Sequence, residues 1–366
     1  MRFNIAKSEL NEVLNIVSKG MSSRSTLPIL SGILVSAEDS SVTFQTTDLE
    51  ISIKHSVVAD VADPGRTVIP GKLFNDIAKS LPDAAITVAT DGDQVIISCM
   101  DSAFTLSTLN PVDFPYFPQV DAGTEVVLPT KKLADVVKKV GKAVSRDESR
   151  AILTGILFSV EEDKVRLVAT DSYRLAIGDM SIDAEEPYEP FQAIVPGRIF
   201  EDVAKLAASY DTVKIGFSEN QIVFSFGACV FVSRKIEGTY PNYRQLLPKG
   251  CACSVRLGAA ELVSCVKRVS LLAQAHTPVR FDFDIDEQRV SVSAKTQDVG
   301  ASKAGMDAAI DGESMEIAFN HQYLLDGLTS IDGDVVIELQ TSLKPGILKP
   351  ADDDGFLYLA MPVRLA

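Results

Sequence analysis

Apolar residues recur at helical spacing in two short stretches near the start of the chain, and matching pairs of stretches return twice further along it. Positions three and four residues apart lie on one side of an α-helix, so each stretch predicts an amphipathic helix. The first helix of each pair carries its apolar stripe at Leu10, Val13, Leu14 and Val17, then at Leu133, Val136, Val137, Val140 and Val144, then at Leu262, Val266, Val269 and Ala273. The second carries it at Leu73, Phe74, Ile77 and Leu81, at Ile199, Phe200, Val203 and Leu206, and at Tyr323, Leu324, Leu325 and Leu328.

The segments between these helices are short and rich in β-branched or alternating apolar residues, which is typical of strands. In the first third of the chain they cover 42–46, 86–90, 95–98 and 104–107. Asp91-Gly92 between two of them predicts a hairpin turn. Because only one stripe of each helix is apolar, both helices are expected on one face of a sheet. The pattern predicts the α+β fold class, with two helices packed on antiparallel sheet in each third.

An internal repeat with a period near 125 residues supports this division. Residues 68–79 read VIPGKLFNDIAK, and residues 194–205, which lie 126 positions later, read IVPGRIFEDVAK. LSGIL at 30–34 returns as LTGIL at 153–157, and Thr-Asp at 47–48 returns at 170–171, both after 123 residues. A third, fainter copy matches 130–140 with 258–269, and 194–200 with 317–328. The sequence therefore predicts three repeated domains, at 1–121, 122–250 and 251–366, with joints rich in Pro and turn residues.

Composition places the chain among globular proteins without covalent cross-links. Hydrophobic residues make up 46% of the 366 residues and charged residues 23%, which excludes extensive disorder. No run of about 18 apolar residues is present, and the amino terminus lacks the apolar core of a secretory signal, so no membrane association is expected. Five cysteines at uneven spacing indicate free thiols in a reducing cytoplasm, and Cys251-Ala-Cys253 is a weak indication of zinc.

The net charge of −15 argues against a protein that contacts phosphate over its whole surface, but it allows a basic strip on an acidic body. The predicted helix over 130–146 has six basic residues against one acidic residue. Lys131, Lys138, Lys142 and Arg146 would share one helix face, away from the valines. For a single helix, a solvated charged face is the simpler interpretation. Three equivalent helices on one surface would add up to a strip that meets duplex phosphate without reading sequence.

Motifs that carry catalysis are missing from the sequence. There is no Walker A loop, no G-x-G-x-x-G, no H-E-x-x-H and no G-x-S-x-G, and the three histidines are far apart. The acidic run 352–354 lacks the spacing of an EF-hand, so a solvated turn is the better interpretation. We therefore predict a non-catalytic protein with no cofactor and no metal site.

Several motifs together resemble one family, the bacterial sliding clamps, which are the β subunits of DNA polymerase III. They are RSTLPIL at 24–30, TDLE at 47–50, FTLSTL at 104–109, ATDSYRL at 169–175, YPNYR at 240–244 with LP at 247–248, and MPVRL at 361–365. The resemblance covers the whole chain. It implies a processivity factor that closes as a head-to-tail homodimer around duplex DNA, with the helices lining the central hole and the sheets outside.

The resemblance also implies a peptide-binding pocket between the second and third domains, which docks the polymerase III α subunit, the clamp loader complex and other proteins with a clamp-binding motif. Carried onto this sequence, the pocket comprises Leu153, Thr170, Ser172, Tyr173, Arg174, Leu175, Pro241, Leu246, Tyr323, Leu343, Pro345, Met361, Pro362, Val363 and Arg364. Four positions depart from the family pattern. Ser172-Tyr173 replaces Gly-His, Gln245 replaces an arginine, and Ala366 follows the usual terminal leucine. These departures affect which peptides the pocket would prefer. The alternative interpretation of the fifteen pocket residues is that they are ordinary core and C-terminal strand residues.

For the dimer seam the resemblance implies Phe104 and Leu106 on one side and Leu271 and Leu272 on the other. For DNA it implies Arg24 and Lys72, to which the charge pattern adds Lys131, Lys138, Lys142, Arg146 and Arg198. Two alternatives remain open at this point. One is an acidic scaffold of three repeated domains that binds no nucleic acid, and the other is an enzyme whose site forms between domains.

Overall fold

The chain repeats one order of elements three times. The computed structural model describes residues 1–22, 26–161, 163–182, 189–273 and 277–364. Each third runs strand, helix, a group of strands, helix, three strands. This order confirms the predicted α+β class with three repeated domains, whereas the exact domain boundaries stay a prediction.

The elements of the three thirds have the following bounds. In the first third they are β1 (Arg2–Ala6), α1 (Lys7–Val17), β2 (Gly32–Glu38), β3 (Ser41–Thr47), β4 (Ile51–Val58), β5 (Asp60–Asp63), β6 (Gly65–Pro70), α2 (Gly71–Ser80), β7 (Ala85–Asp91), β8 (Gln94–Cys99) and β9 (Ser102–Ser107). In the second they are β10 (Thr124–Pro129), α3 (Thr130–Val140), β11 (Gly155–Glu161), β12 (Lys164–Thr170), β13 (Arg174–Ser181), β14 (Phe191–Pro196), α4 (Gly197–Leu206), β15 (Thr212–Phe217), β16 (Gln221–Phe226) and β17 (Cys229–Arg234). In the third they are β18 (Cys253–Gly258), α5 (Ala259–Val269), β19 (Val279–Asp284), β20 (Arg289–Thr296), β21 (Gly300–Asp307), β22 (Ala309–Gly312), β23 (Met315–Phe319), α6 (His321–Leu328), β24 (Asp334–Leu339), β25 (Gly346–Pro350) and β26 (Phe356–Ala360).

Two compact units divide the chain differently from the repeat. The first unit consists of Met1–Lys131 and Asp202–Lys235, and the second of Lys132–Glu201 and Ile236–Ala366. The divisions fall inside α3 and α4, so the middle third of the chain contributes to both units.

The sheets explain this division, because strands of neighbouring repeats hydrogen-bond to each other. The first unit holds a five-stranded sheet, in the order β5-β1-β7-β8-β9, and an eight-stranded sheet, β10-β15-β16-β17-β4-β3-β2-β6. In the latter, β17 pairs with β4 of the first repeat. The second unit holds a nine-stranded sheet, β14-β11-β12-β13-β26-β25-β24-β18-β22, and a four-stranded sheet, β21-β20-β19-β23. There β13 pairs with β26 of the third repeat, with Leu175 opposite Leu359.

The helices bury most of the stripes that the periodicity predicts, whereas Val136, Leu206, Tyr323 and Leu325 are only half-buried. α1 buries Leu10, Val13, Leu14 and Val17, and α5 buries Leu262, Val266 and Val269. Leu73 of α2, by contrast, is 51% exposed, so the stripe of α2 is narrower than predicted.

The prediction of a single helix over 130–146 is wrong. α3 ends at Val140, and a 3-10 turn, Gly141–Ala143, follows. The chain then becomes extended at Val144, and the Ser145 N–H donates to the Leu153 carbonyl at 2.9 Å, which draws the backbone away from the helix axis. Arg146 is therefore exposed beyond the helix and does not continue its basic face.

All five cysteines are free thiols, and none of them forms a disulfide. None of the six α-helices in the described ranges combines the length and the apolar character that a bilayer crossing requires.

Candidate functional site

A tight turn between β12 and β13 forms the centre of the predicted pocket. The Thr170 hydroxyl donates to the Arg174 carbonyl at 2.6 Å, and Asp171 Oδ1 accepts the N–H groups of Tyr173 and Arg174 at 2.9 and 3.0 Å. Ser172, at the tip, has a φ of 81°, a left-handed conformation that favours glycine. These bonds fix the backbone of the turn and leave the side chains of Ser172 and Tyr173 exposed.

Two tyrosines and an arginine form one rim of the site. The Tyr173 ring stacks on the Tyr323 ring of α6, with centroids 6.1 Å apart and planes at 21°. The Arg174 guanidinium carbon lies 4.6 Å from the Tyr323 ring centroid, a cation–π contact. Burial alone would lower the pKa of Arg174, but Tyr358, Asp326 and Asp171 together raise it above its ordinary value. The arginine is a permanent cation held against an aromatic surface.

The segment after β26 forms a second side of the site. The Met361 N–H donates to the Tyr173 carbonyl at 2.9 Å, and the Val363 N–H donates to the Ala318 carbonyl at 2.8 Å. Pro362 forms a bridge with Phe319 of β23. Met361 is 37% exposed and Arg364 is exposed, so this segment presents side chains beside the turn.

Beneath the turn lies an apolar floor. Leu175 and Leu359 are buried in one cluster with other apolar side chains, namely Leu157, Val168, Ile177, Ile194 and Tyr243. Half-buried side chains pack against this cluster, including Ile152 and Leu247. Leu153, one of the predicted pocket residues, is 8% exposed. Leu175 and Leu359 are 0% and 1% exposed, so the apolar surface open to a peptide comes from the half-buried side chains and from the exposed Leu246.

The remaining predicted pocket residues lie further out. Pro241 and Leu246 flank Tyr243 of the floor cluster, and the Pro241 carbonyl accepts the Tyr243 N–H at 2.7 Å. Leu343 and Pro345 belong to the loop before β25, where Leu343 is 68% exposed. These two are not among the residues that define the turn, the rim or the floor.

Several residues of the site were missed from the sequence, among them Asp171 of the turn and the floor residues Leu157, Val168, Ile177, Ile194 and Tyr243. Arg150 donates from Nη1 to the Ser172 hydroxyl at 3.0 Å and from Nε to Asp147 at 2.8 Å, so it supports the tip of the turn. Asp326 accepts a hydrogen bond from Arg174, and Leu359 belongs to the floor. Leu359 could have been found from the apolar run of β26, whereas the contacts of Arg150 and Asp326 join distant segments without a local signal.

The residues predicted to contact DNA are mostly exposed cations. Their positions differ: Lys72 lies on α2, Lys131 and Lys138 on α3, Arg198 on α4, and Arg146 beyond α3, while Arg24 falls outside the described residues. Lys142 is the exception, because its ammonium donates to the Thr329 hydroxyl at 2.9 Å and to the Asp326 carbonyl at 3.3 Å. The Lys142 ammonium is therefore already hydrogen-bonded within the protein.

The residues predicted for the dimer seam lie at two sheet edges. β9, the last strand of the five-stranded sheet, pairs along one side with β8 and buries none of its residues. Phe104 on it is 37% exposed. β21, the last strand of the four-stranded sheet, is tied to the end of α5, where Leu271 is 82% exposed and Leu272 is half-buried. Open edges next to exposed apolar groups are typical of strands that pair with another chain.

Comparison with known proteins identifies the family. Models of the DNA polymerase III beta subunit match the whole length in order, with the N-terminal domain at 1–118, the central domain at 127–242 and the C-terminal domain at 244–364. The beta sliding clamp of Streptomyces coelicolor is 34% identical and that of Staphylococcus aureus 32% identical, each matched over 100% of this chain and at least 99% of its own length.

Solved structures agree with this match. The DNA polymerase sliding clamp from Bacillus subtilis aligns with a TM-score of 0.95 at 28% identity, covering 100% of both chains. The Pseudomonas aeruginosa sliding clamp bound to griselimycin aligns with a TM-score of 0.95 at 29% identity, also over 100% of both chains. The predicted family is confirmed, and with it a non-catalytic processivity factor in place of an enzyme. The chain belongs to the family of the DNA polymerase III beta subunits, the bacterial sliding clamps.

Proposed function

We propose that two copies of this chain close head to tail around duplex DNA, and that each docks replication and repair proteins through the pocket formed by the turn, the rim and the floor. The partners we expect are the polymerase III α subunit, the clamp loader complex, other proteins with a clamp-binding motif and a second copy of the chain. We place this activity in the cytoplasm, where bacterial DNA is copied. The observation that carries the docking function is the stack of the exposed Tyr173 ring on the half-buried Tyr323 ring, above an apolar cluster.

The pocket favours a short peptide with apolar anchors. Leu175 and Leu359 are buried and support the half-buried Ile152 and Leu247, which with the exposed Met361 supply apolar contacts for a peptide. Arg150 and Arg174 are paired with Asp147, Asp171 and Asp326, so the rim carries no net positive charge, and its guanidinium groups suit the backbone carbonyls of a peptide. Binding by a few apolar anchors in a preformed cleft allows several partners to use the same site in turn.

The dimer seam follows from the two open edges. Pairing β9 of one copy with β21 of another would satisfy the unpaired backbone groups of both strands and cover Phe104 and Leu271. Such a contact joins the β9 edge of one copy to the β21 edge of the other. When each copy uses both edges, two such contacts close a ring. Weak phosphate contacts then suffice for retention, because a closed ring cannot leave an uninterrupted duplex.

Retention on circular DNA tests this function. The protein is loaded onto a nicked circle by its cognate clamp loader with ATP, separated from free protein, and the circle is then linearised. We expect the protein to stay on the circle and to be lost from the cut DNA. Failure to load, or continued binding after cutting, contradicts a ring and favours the acidic scaffold.

Griselimycin gives an independent test of the docking pocket. The Pseudomonas aeruginosa relative binds it, and we propose that this chain does so too. Tiled peptides from the polymerase α subunit are first screened for binding by fluorescence anisotropy, and griselimycin is then added as competitor. We expect displacement of the peptide and weaker binding in a Tyr323→Ala variant. Peptide binding that Tyr323→Ala leaves unchanged contradicts the proposed pocket.

A further inference from the structure

We propose that Asp326 of α6 is a positioning residue that fixes Arg174 and Tyr323 and thereby sets the affinity of the pocket for partner peptides. The inference rests on the docking function proposed above. Arg174 is 12% exposed at its side chain and is held by two carboxylates. Its Nε donates to Asp171 Oδ2 at 3.0 Å, and its Nη1 donates to Asp326 Oδ2.

The two carboxylates have different tasks. Asp171 already accepts the N–H groups of Tyr173 and Arg174 with its other oxygen, so it belongs to the turn and moves with it. Asp326 reaches Arg174 from α6 and is therefore the carboxylate that joins the turn to the helix, beside the ring contacts of Tyr323 with Tyr173 and Arg174. A charge-assisted hydrogen bond of this kind is stronger and more directional than a neutral one.

Helix geometry places Asp326 and Tyr323 side by side. They are three residues apart on α6, and residues at this spacing lie on the same face of a helix. The Arg174 guanidinium contacts both, with its carbon 4.6 Å from the Tyr323 ring centroid. When Asp326 holds the guanidinium, it also holds the position of the ring on which Tyr173 stacks.

Side chains from other segments hold α6, which makes the helix a fixed support. Asn320 caps its start by accepting the Gln322 N–H at 2.9 Å, and the Tyr358 hydroxyl of β26 donates to the Tyr323 carbonyl at 2.8 Å. At its end the Lys142 ammonium donates to the Asp326 carbonyl at 3.3 Å and to the Thr329 hydroxyl at 2.9 Å. A cation is favourable at this end of a helix, because the last carbonyls have no partner within the helix. Lys142 therefore supports the pocket from behind.

Asp326→Asn removes the charge of this link with little change of shape. We expect the Kd for a peptide to rise about tenfold, which corresponds to about 1.4 kcal/mol. Asp334→Asn is the matched control, because Asp334 is 44% exposed, close to the 43% of Asp326, and pairs with Arg256 at 2.9 Å. We expect the control to change the Kd by less than about twofold, since exposed ion pairs contribute little.

The probe is a fluorescein-labelled peptide, chosen from tiles of the polymerase α subunit of the same organism by its binding to the wild-type protein.

A second readout separates positioning from general stability. The chain has no tryptophan and eight tyrosines, so the ring resonances of tyrosine-labelled protein can be assigned by substitution. We expect Asp326→Asn to shift the Tyr323 ring signals while the melting temperature stays within about 2 °C of wild type.

The outcomes distinguish this inference from the docking function. If the wild-type protein binds peptide and Asp326→Asn binds equally well, the positioning role is overturned and the docking function stands. If the wild-type protein binds no peptide of the set, both are overturned. An equal loss of affinity in Asp334→Asn also overturns the positioning role, because it shows a general electrostatic effect. Adding Asp326→Asn to an Arg174→Gln variant should change the Kd little further, since the contact between Asp326 and Arg174 is then already lost.

Discussion

Two glycines beside α3 allow a sharp test of how this basic helix is held. Gly178 of β13 lies beneath it: a Cβ atom there would be 2.4 Å from Val136 Cγ1 and 3.1 Å from Val140 Cγ2. Both contacts are with branched side chains of the helix, which have little freedom to turn away. Gly141, just after the helix, differs, because a Cβ atom there would meet Oε1 of Glu201 at 2.8 Å, the end of a flexible side chain.

The two alanine variants should therefore change stability in different directions. Overpacking of a filled site costs about 1–3 kcal/mol, and replacing glycine recovers about 0.4–1 kcal/mol from the unfolded chain. For Gly178→Ala the first effect is larger, and we expect a net loss of about 0.5–2 kcal/mol. For Gly141→Ala the carboxylate can rotate aside, and we expect a change between zero and a gain of about 0.5 kcal/mol.

Urea unfolding of both variants, followed by far-UV circular dichroism, measures the difference. The comparison uses the midpoint and the slope together, because an altered slope would indicate that more than the folded state had changed. The reasoning is refuted if Gly178→Ala is as stable as Gly141→Ala or more stable. Since Lys138 is carried by the same helix, Gly178→Ala should also disturb DNA contacts more than Gly141→Ala does.

Three further predictions address the seam, the DNA face and pH. Phe104→Asp should give a monomer in light scattering, whereas Val112→Asp, at a side chain that is 84% exposed, should stay dimeric; a dimeric Phe104→Asp protein contradicts the seam. Lys138→Gln should reduce the slope of log K against log salt for a short duplex by about 0.9, and an unchanged slope removes Lys138 from the DNA face. Burial lowers the pKa of His55 from 6.5, against a weaker opposing effect of Glu12, so the unfolded chain binds the proton more readily. Stability should be full above about pH 6.5 and fall with decreasing pH, and His55→Gln should flatten this fall in urea unfolding; equal profiles for both proteins contradict the assignment.

Local pattern predicted most of the secondary structure, because most helices here have one buried face. The strands predicted at 42–46, 86–90 and 95–98 lie inside β3, β7 and β8. The end of α3 was misplaced because the charged residues continue past Val140, although Gly141 directly after it is a residue that often ends a helix. Beyond the 3-10 turn the Ser145 N–H donates to the Leu153 carbonyl, a tertiary contact that the local pattern does not predict.

The pairing of strands from different repeats could not be predicted from the pattern of apolar residues either. Nothing in β4 or β13 states which strand lies beside it, and a period of two residues suits any neighbour. The pairings of β17 with β4 and of β26 with β13 create the continuous sheets, and the second of them brings Leu359 next to the pocket turn. The pocket residues were therefore predicted from the resemblance to sliding clamps, and the periodicity predicted only the helices and strands that carry them.

The first repeat shows that the backbone of the turn does not make a pocket by itself. Its turn after β3 is built in the same way, with Asp48 Oδ1 accepting the N–H groups of Glu50 and Ile51 at 3.0 and 2.7 Å. Leu49 at its tip has a φ of 77°, close to the 81° of Ser172. The two turns are thus the same structure, produced by the same Thr-Asp pair 123 residues apart.

What differs is the layer beneath the turn. Leu175 and Ile177, which belong to the floor in the second repeat, are replaced 123 residues earlier by Ser52 and Lys54. Ser52 shares a hydrogen bond of 2.9 Å with Thr47, and the Lys54 ammonium lies 4.9 Å from the ring centroid of Phe117. The first repeat keeps a smaller apolar cluster, formed by Leu34, Val68 and Phe114, but lacks apolar side chains at these two positions. We therefore expect the proposed docking to depend on a few positions of β13 and on the partner strand β26, and not on the repeated fold that carries them.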